Sequence, residues 1–300
     1  PVIGVTAEAG STVAVTATKD GNAFTLFTGL SSISGTGSQV SWTPLGVPAS
    51  GSTGAALADG VYVFSFTQTD SAANAQTSAS TLTVTVDTTA PTSTTVALTS
   101  TDSGNSSDRV TNVAPVIGVT AEAGSTVAVT ATKDGTAFTL FTGLSSISGT
   151  GSQVSWTPLG VPTSGTTGAP LADGVYEFSF TATDVALNTG NAATLTVTVD
   201  TSPPTSTTVA LTSTDSGTSG DRVTNVAPVI GVTAESGATV AVTATKDGSA
   251  FTLNSGLSSI SGTGSAVSWT PLGASGAALA DGVYIFSFTQ TDSAANVQST

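Results

Sequence analysis

Three hundred residues contain no Cys, Met or His, which excludes disulfides, thiolate and imidazole metal ligands, and every Ser-His or Cys-His nucleophile pair. Only 8% of the residues are charged, against about 25% in an ordinary soluble domain, yet 19 acids face 5 bases for a net charge of -14. Nucleic acid is a poor partner for that balance, and no run approaches the ~18–20 consecutive apolar residues of a membrane span, so no membrane insertion is expected in this segment.

The opening string PVIGVTAEAGSTVAVTATKDG recurs at Pro115 and, slightly altered, at Pro228, a period of 114 and then 113 residues. A period of that length is one domain, so an array of globular modules is expected. The strings DTTAPTSTTVALTSTDSG from Asp87 and DTSPPTSTTVALTSTDSG from Asp200 read as junctions. They divide the chain into a module over 1–87, a complete one over 88–200 and a third over 201–300. The first is expected to lack its first strand and the third its last, as in a window cut from a longer array. Residues 1–48 and 115–162 differ only at Asn22 versus Thr136, a likeness that reflects recent duplication.

In the middle module, taken in chain order, strands are expected near 94–99, 115–120, 126–132, 137–142, 152–157, 174–183 and 194–199. TVAVTAT from Thr126 and TLTVTV from Thr194 alternate apolar residues with Thr, the pattern of a half-buried pleated surface. Lys133-Asp134-Gly135 is a hairpin signal. Val63, Glu177 and Ile285 occupy one equivalent position, so that position faces solvent, and period-2 alternation then turns Tyr176, Phe178 and Phe180 inward. Trp156, Phe138 and Phe141 are the other large candidates for the core. Seven short strands in about 110 residues match an all-β, immunoglobulin-like Greek-key sandwich.

LADGVY at Leu171–Tyr176 matches the tyrosine corner of immunoglobulin-like domains. Together with DTTAP, TSTDSGNSSDRVTN, AEAGSTVAVTATKDG and TDVALN, the chain resembles the bacterial immunoglobulin-like tandem repeats of giant type I secreted adhesins. That resemblance implies an extracellular structural extender at the bacterial cell surface, stiffened by calcium, that projects a terminal binding domain in adhesion or biofilm formation. The turn at TDVALN, like TDSAAN in the other modules, departs from the Gly-containing form common in the family. An alternative is the body of an extracellular filament, sheath or matrix fibre, in which other copies of the chain would be partners besides the neighbouring modules. A ligand-binding or enzyme-accessory module is a third reading.

The candidate metal ligands follow from where such a sandwich places its acids. Asp102, Asp108, Asp173 and Asp200 of the middle module are expected at its downstream end, and Glu235 and Asp292 of the third module at the facing end, with Asn112 and Asn296 as amide donors. Asp59, Asp87, Asp184, Asp215 and Asp221 are the corresponding candidates at the other loops and junctions. Like charges so assembled repel one another unless cations intervene. Ca²⁺ fits an all-oxygen ligand set, whereas Zn²⁺ has no His or Cys and Mg²⁺ demands a rigid octahedron. The competing reading makes each Asp a turn former. Asp102 and Asp108 as a glycosidase pair lack a pocket-forming aromatic, and the regular TxT strings are explained by β-propensity without invoking ice. No catalytic activity is expected.

Overall fold

The structure is a computed structural model that describes residues 1–92, 94–205 and 207–298. Among the described residues there is no helix, and so none long and apolar enough to cross a membrane. The chain divides into two compact units, Pro1–Ala90 with Val185–Asn188, and Pro91–Asp184 with Thr189–Thr300.

The first unit holds β1 (Ile3–Thr6), β2 (Thr12–Lys19), β3 (Asn22–Phe24), β4 (Ser32–Ser34), β5 (Gln39–Trp42), β6 (Gly60–Thr69) and β7 (Ser80–Val86). The second opens with β8 (Thr95–Leu98), β9 (Val110–Thr111), β10 (Ile117–Thr120), β11 (Thr126–Lys133), β12 (Thr136–Phe138), β13 (Ser146–Ser148), β14 (Gln153–Trp156), β15 (Gly174–Thr183) and β16 (Ala193–Val199). It continues with β17 (Thr208–Leu211), β18 (Ile230–Thr233), β19 (Thr239–Lys246), β20 (Ser249–Phe251), β21 (Ser259–Ser261), β22 (Ala266–Trp269) and β23 (Tyr284–Thr291). The sandwich over β8–β16 is the fullest. One sheet runs β14-β10-β8 and the other β12-β11-β15-β16-β9, with β13 also on β11.

Alternation in β15 explains how these sheets adhere. Tyr176, Phe178 and Phe180 are fully buried while Glu177 faces out. Trp156 meets Phe178 and Phe180 edge-on, each at 5.5 Å between ring centroids, and its indole N–H donates to the Leu144 carbonyl at 3.2 Å. Val127 and Val129 of β11 and Leu195 and Val197 of β16 complete the centre. Separate clusters of the same kind form around Trp42, Phe64 and Phe66, and around Trp269, Phe286 and Phe288.

The Lys133-Asp134-Gly135 hairpin forms as expected, with Asp134 and Gly135 both left-handed at φ 49° and 76°, the twist that two-residue hairpins favour. The Asp134 carboxylate also accepts the Val175 N–H at 2.9 Å. The tyrosine corner forms too: the Tyr176 hydroxyl donates to the Ala172 carbonyl at 2.8 Å, and Tyr62 and Tyr284 repeat the bond. Lys133 Nζ stands 5.7 Å from the Tyr176 ring centroid.

Three expectations need correction. The strand placed at 137–142 ends at Phe138, because β13 occupies the remaining length of the same edge of β11; Phe138, half-buried, still packs against the core and meets the Tyr176 ring edge-on at 5.2 Å, whereas Phe141 is half-buried outside that cluster. β13 and β9 were not anticipated. β9 pairs parallel with β16, so the chain crosses from one sheet to the other between β8 and β10. Flanking strands matter for burial: Leu195 is 3% exposed, whereas the equivalent Leu82 is 41% exposed where no described strand corresponds to β8 and β9.

Removing the corner hydroxyl in Tyr176→Phe leaves the Ala172 carbonyl without its donor, which costs about 1 kcal/mol. Urea unfolding is expected to show a lower midpoint with an unchanged slope; an unchanged midpoint would show that the corner bond contributes nothing.

Candidate functional site

The acids at the loop ends fall into two classes by what satisfies their oxygens. The first class is capped by hydroxyls. In the second unit, Asp173 at the start of β15 accepts the Thr201 N–H and hydroxyl, both at 2.8 Å, on one oxygen and the Ser202 hydroxyl on the other. The Ser202 hydroxyl first, then the Thr201 N–H and hydroxyl, hold this carboxyl below its usual range. In the first unit Asp59 is bound in the same way by Thr88 and Thr89, and the hydroxyls of Thr89 and then Thr88 depress its pKa. Asp87 accepts the Thr89 N–H at 3.1 Å, and the Asn188 amide donates to the Asp87 carbonyl at 3.1 Å.

The third module repeats the amide clamp. Asn296 donates to the Asp200 backbone carbonyl at 2.9 Å and to the Asp292 carboxylate at 3.0 Å, while Asp292 also accepts the Asn296 N–H at 2.8 Å. Asp292 is only 8% exposed and Asp184, at the matching position, 7%. Asp200 behaves unlike its neighbours: burial pushes its carboxyl up, against the opposing Ser202 N–H, and the charges of Asp292 and Asp173 add to the rise. The pH consequences have opposite signs. Asp59 and Asp173, depressed on folding, favour the fold above their ordinary 3.8 and lose that contribution as pH falls through the depressed range. Asp200, raised on folding, costs stability once ionised, and the cost disappears as pH falls below 3.8.

The second class lies in the loop between β8 and β9 and its copy after β17. Asp102 uses one oxygen to accept the Ser107 N–H, and Asp215 uses one to accept the Gly220 N–H at 2.6 Å. The other oxygen of each, Oδ1, is buried without a hydrogen-bond partner. Asp108 and Asp221 accept the N–H two residues on, from Val110 and Val223. Asn112 Oδ1 accepts the Ser103 hydroxyl at 2.8 Å, so this amide oxygen is already occupied. Among the described residues, no three carboxylates stand close enough to hold one ion. The charges of Asp292 and Asp173 act on Asp200, and each of the three carboxylates accepts N–H or O–H donors.

Buried polar atoms without partners are rare and point to strain or to an absent ion or water. Asp102 Oδ1 and Asp215 Oδ1 are therefore where the donor chemistry fits a hard cation best. Two groups with no place in the expected ligand set emerge in the same unit. Gln290, fully buried, and Gln298 bracket Thr207; their only trace in the sequence is that modules one and three share TQTD followed by N-x-Q. Gly104, in the Asp102 loop, lies so close to the third module that a Cβ there would stand 2.0 Å from the Ser293 carbonyl oxygen.

Residues 89–201 match the family model described as bacterial Ig-like domain. No curated protein matches the chain. A solved structure, dimeric latent PorU from Porphyromonas gingivalis, is similar at 12% identity over 94% of this chain and 28% of that one, with a TM-score of 0.22, too low to carry argument.

Gly104 and Gly217 are equivalent, with φ of 72° and 81°, but nothing lies within 4 Å of a Cβ built on Gly217. Gly217→Ala therefore reports the left-handed backbone cost alone, about 1–2 kcal/mol. Gly104→Ala adds displacement of the Ser293 loop, and its melting temperature is expected to fall further; equal falls would contradict the close approach.

Proposed function

We propose that this chain, whose residues 89–201 form a bacterial Ig-like domain, is a stretch of the structural extender of a giant secreted bacterial cell-surface adhesin, stiffened by calcium at its junctions. Domains of this family commonly belong to extracellular or surface proteins, and the role is structural rather than catalytic. Adhesion and biofilm formation would follow from a terminal binding domain held away from the cell. The observation that carries the reading is the pair of buried, unpartnered carboxylate oxygens, Asp102 Oδ1 and Asp215 Oδ1, placed identically in loops 113 residues apart. Repetition at that interval is what a spacer built from copies of one joint requires.

The chain's own residues do most of the positioning. Asn296 ties the Asp200 backbone to the third module, Asp173 ties Thr201 and Ser202, and the Ser293 loop closes on Gly104. Asp102, Asp215 and Asp200 would supply oxygen ligands. Calcium, when bound, supplies positive charge and a many-oxygen cross-link. Extracellular modules of this kind bind it at about 10⁻⁴–10⁻³ M, so such sites fill outside the cell and stay empty inside it. That difference suits type I export of a chain without disulfides.

The test is a thermal melt with small-angle scattering on the whole chain, in millimolar calcium and in chelator, with Asp200→Asn as the variant. An ion at a hundredfold excess over its Kd contributes about 2.7 kcal/mol, enough to raise the melting point by several degrees, and the maximum dimension is expected to grow. Asp200→Asn should melt higher than the natural chain in chelator, where its charge is a cost, and lower in calcium, where its charge is a ligand. Identical profiles in calcium and chelator would make the acids turn residues and remove calcium from the account.

A further inference from the structure

The first strand of the middle module is its lightest part. β8 pairs with β10 over four residues, and its Val96 and Leu98 are only partly buried. β16, the last strand, pairs with β15 over seven, and its Leu195, Val197 and Val199 are at most 3% exposed. The anchor ahead of β8 is weak as well. The Thr94 hydroxyl is buried without a partner, where that of the equivalent Thr207 lies 2.9 Å from Gln298 Oε1 and 3.2 Å from Gln290 Oε1.

Tension along the chain enters this module at Thr95 and leaves it at Val199. Forced opening is set by unfolding rates, so the order in which bonds meet the load decides what yields first. The loop over 99–109 is closed by bonds that lie one behind another. The Thr99 N–H and hydroxyl donate to the Val116 carbonyl at 2.8 and 3.0 Å, the Thr111 hydroxyl to the Thr101 carbonyl at 2.8 Å, and the Ser103 N–H to the Val110 carbonyl at 2.8 Å. A pull from Thr95 meets them in turn. β9 differs, because it lies parallel to β16, with the Thr198 N–H on the Arg109 carbonyl and the Asp200 N–H on the Thr111 carbonyl, both at 3.0 Å. Pulling the N-terminal end of one parallel strand and the C-terminal end of the other slides the pair lengthwise, and both bonds resist together. Thr111, fully buried, pins β9 further.

The same loop carries the seat of the next module. Gly104 lies within it, and a Cβ there would stand 2.0 Å from the Ser293 carbonyl oxygen and 3.4 Å from the Ala295 nitrogen. The Ser293 loop is shaped by Asn296, whose amide reaches both the Asp292 carboxylate and the Asp200 carbonyl. We infer that the arm from β8 to β9 is a latch that tension opens. β8 leaves β10, and residues 95–109 come free until the β9–β16 pair stops them, a local opening that leaves the aromatic core closed. Gly104 is thereby withdrawn from the Ser293 loop, while Asn296 keeps its hold on Asp200. The joint turns from braced to loose without parting, and is braced again when β8 re-pairs. The inference rests on the proposed function only in that an extender is a chain under tension. It uses no calcium, so a chain indifferent to calcium still shows the latch, and a chain without the latch still responds to calcium.

The experiment stretches the whole chain in optical tweezers, in chelator, between handles attached through Ala90→Cys and Thr205→Cys, two exposed positions in a chain that has no other cysteine. Residues 95–109 drawn straight span about 50 Å, and residues 90–205 about 400 Å. A reversible first lengthening of no more than about 50 Å is expected before the rupture that opens the sandwich. Asn296→Ala lies outside the stretched segment. By releasing the Ser293 loop it should lower the tension of the first step and leave that of the main rupture unchanged. Thr111→Val, which keeps the shape and loses the bond to Thr101, should lower the first step independently. A single rupture with no earlier step would overturn the inference. So would a first step near 75 Å, the span of residues 95–116, because β9 would then have left with β8. A first step that Asn296→Ala leaves unmoved would show that the arm does not brace the joint, and would overturn it too.

Discussion

Each module depends on one column of aromatic rings, Tyr-x-Phe-x-Phe, presented by the long strand that carries Tyr62, Tyr176 or Tyr284, with a single Trp edge-on to the two Phe rings. In a chain of Gly, Ala, Ser and Thr these rings supply much of the bulk available for burial, and no disulfide shares the task. Their geometry is set twice. Period-2 alternation turns the rings inward, and the corner around Tyr176 fixes where the strand begins, through its hydroxyl, the Asp134 carboxylate on the Val175 N–H, and the Lys133 ammonium over the ring. Burial then tracks how well flanking strands cover the column. Phe178 is fully buried between β11 and β16, while its equivalent Phe286, with no described strand on one side of β23, is half-buried.

The ends of the sandwich obey a different constraint. Strands stop there, and backbone and carboxylate groups must be satisfied without apolar cover. Thr and Ser hydroxyls do this for Asp59 and Asp173, and Asn296 does it for the Asp200 carbonyl. Charge remains where capping is incomplete. Asp200 is raised by burial and by Asp292 and Asp173, and Asp102 and Asp215 each keep an oxygen without a donor. A chain with so few charges thus concentrates its electrostatic tension where one module follows another.

Much of this was legible in the residues. Substitution of Val, Glu and Ile at one position fixed which way β15 faces, and the hairpin and tyrosine corner were visible as Lys-Asp-Gly and Leu-Ala-Asp-Gly-Val-Tyr. β9 and β13 were not, because two or three residues carry no periodicity. The ends of the sandwich were harder. Sequence could place Asp173 and Asp200 on loops, but it could not show that Thr201 and Ser202 satisfy a carboxylate 28 and 29 residues upstream. Nor could it distinguish Asp102, with an idle oxygen, from Asp173, with none. The seat formed by Gln290 and Gln298 was hidden for the same reason: its partner, Thr207, is more than 80 residues away.

The most direct measurement of the central claim uses the three Trp residues, one in each aromatic cluster and each 5% exposed, as reporters during urea unfolding of Phe178→Ala. Truncation of a buried Phe costs about 3–5 kcal/mol. If the ring column holds each module by itself, the fluorescence of one Trp in three will change at a lower urea concentration, with the rest of the curve unmoved. A curve that shifts as a whole, or not at all, would contradict the account.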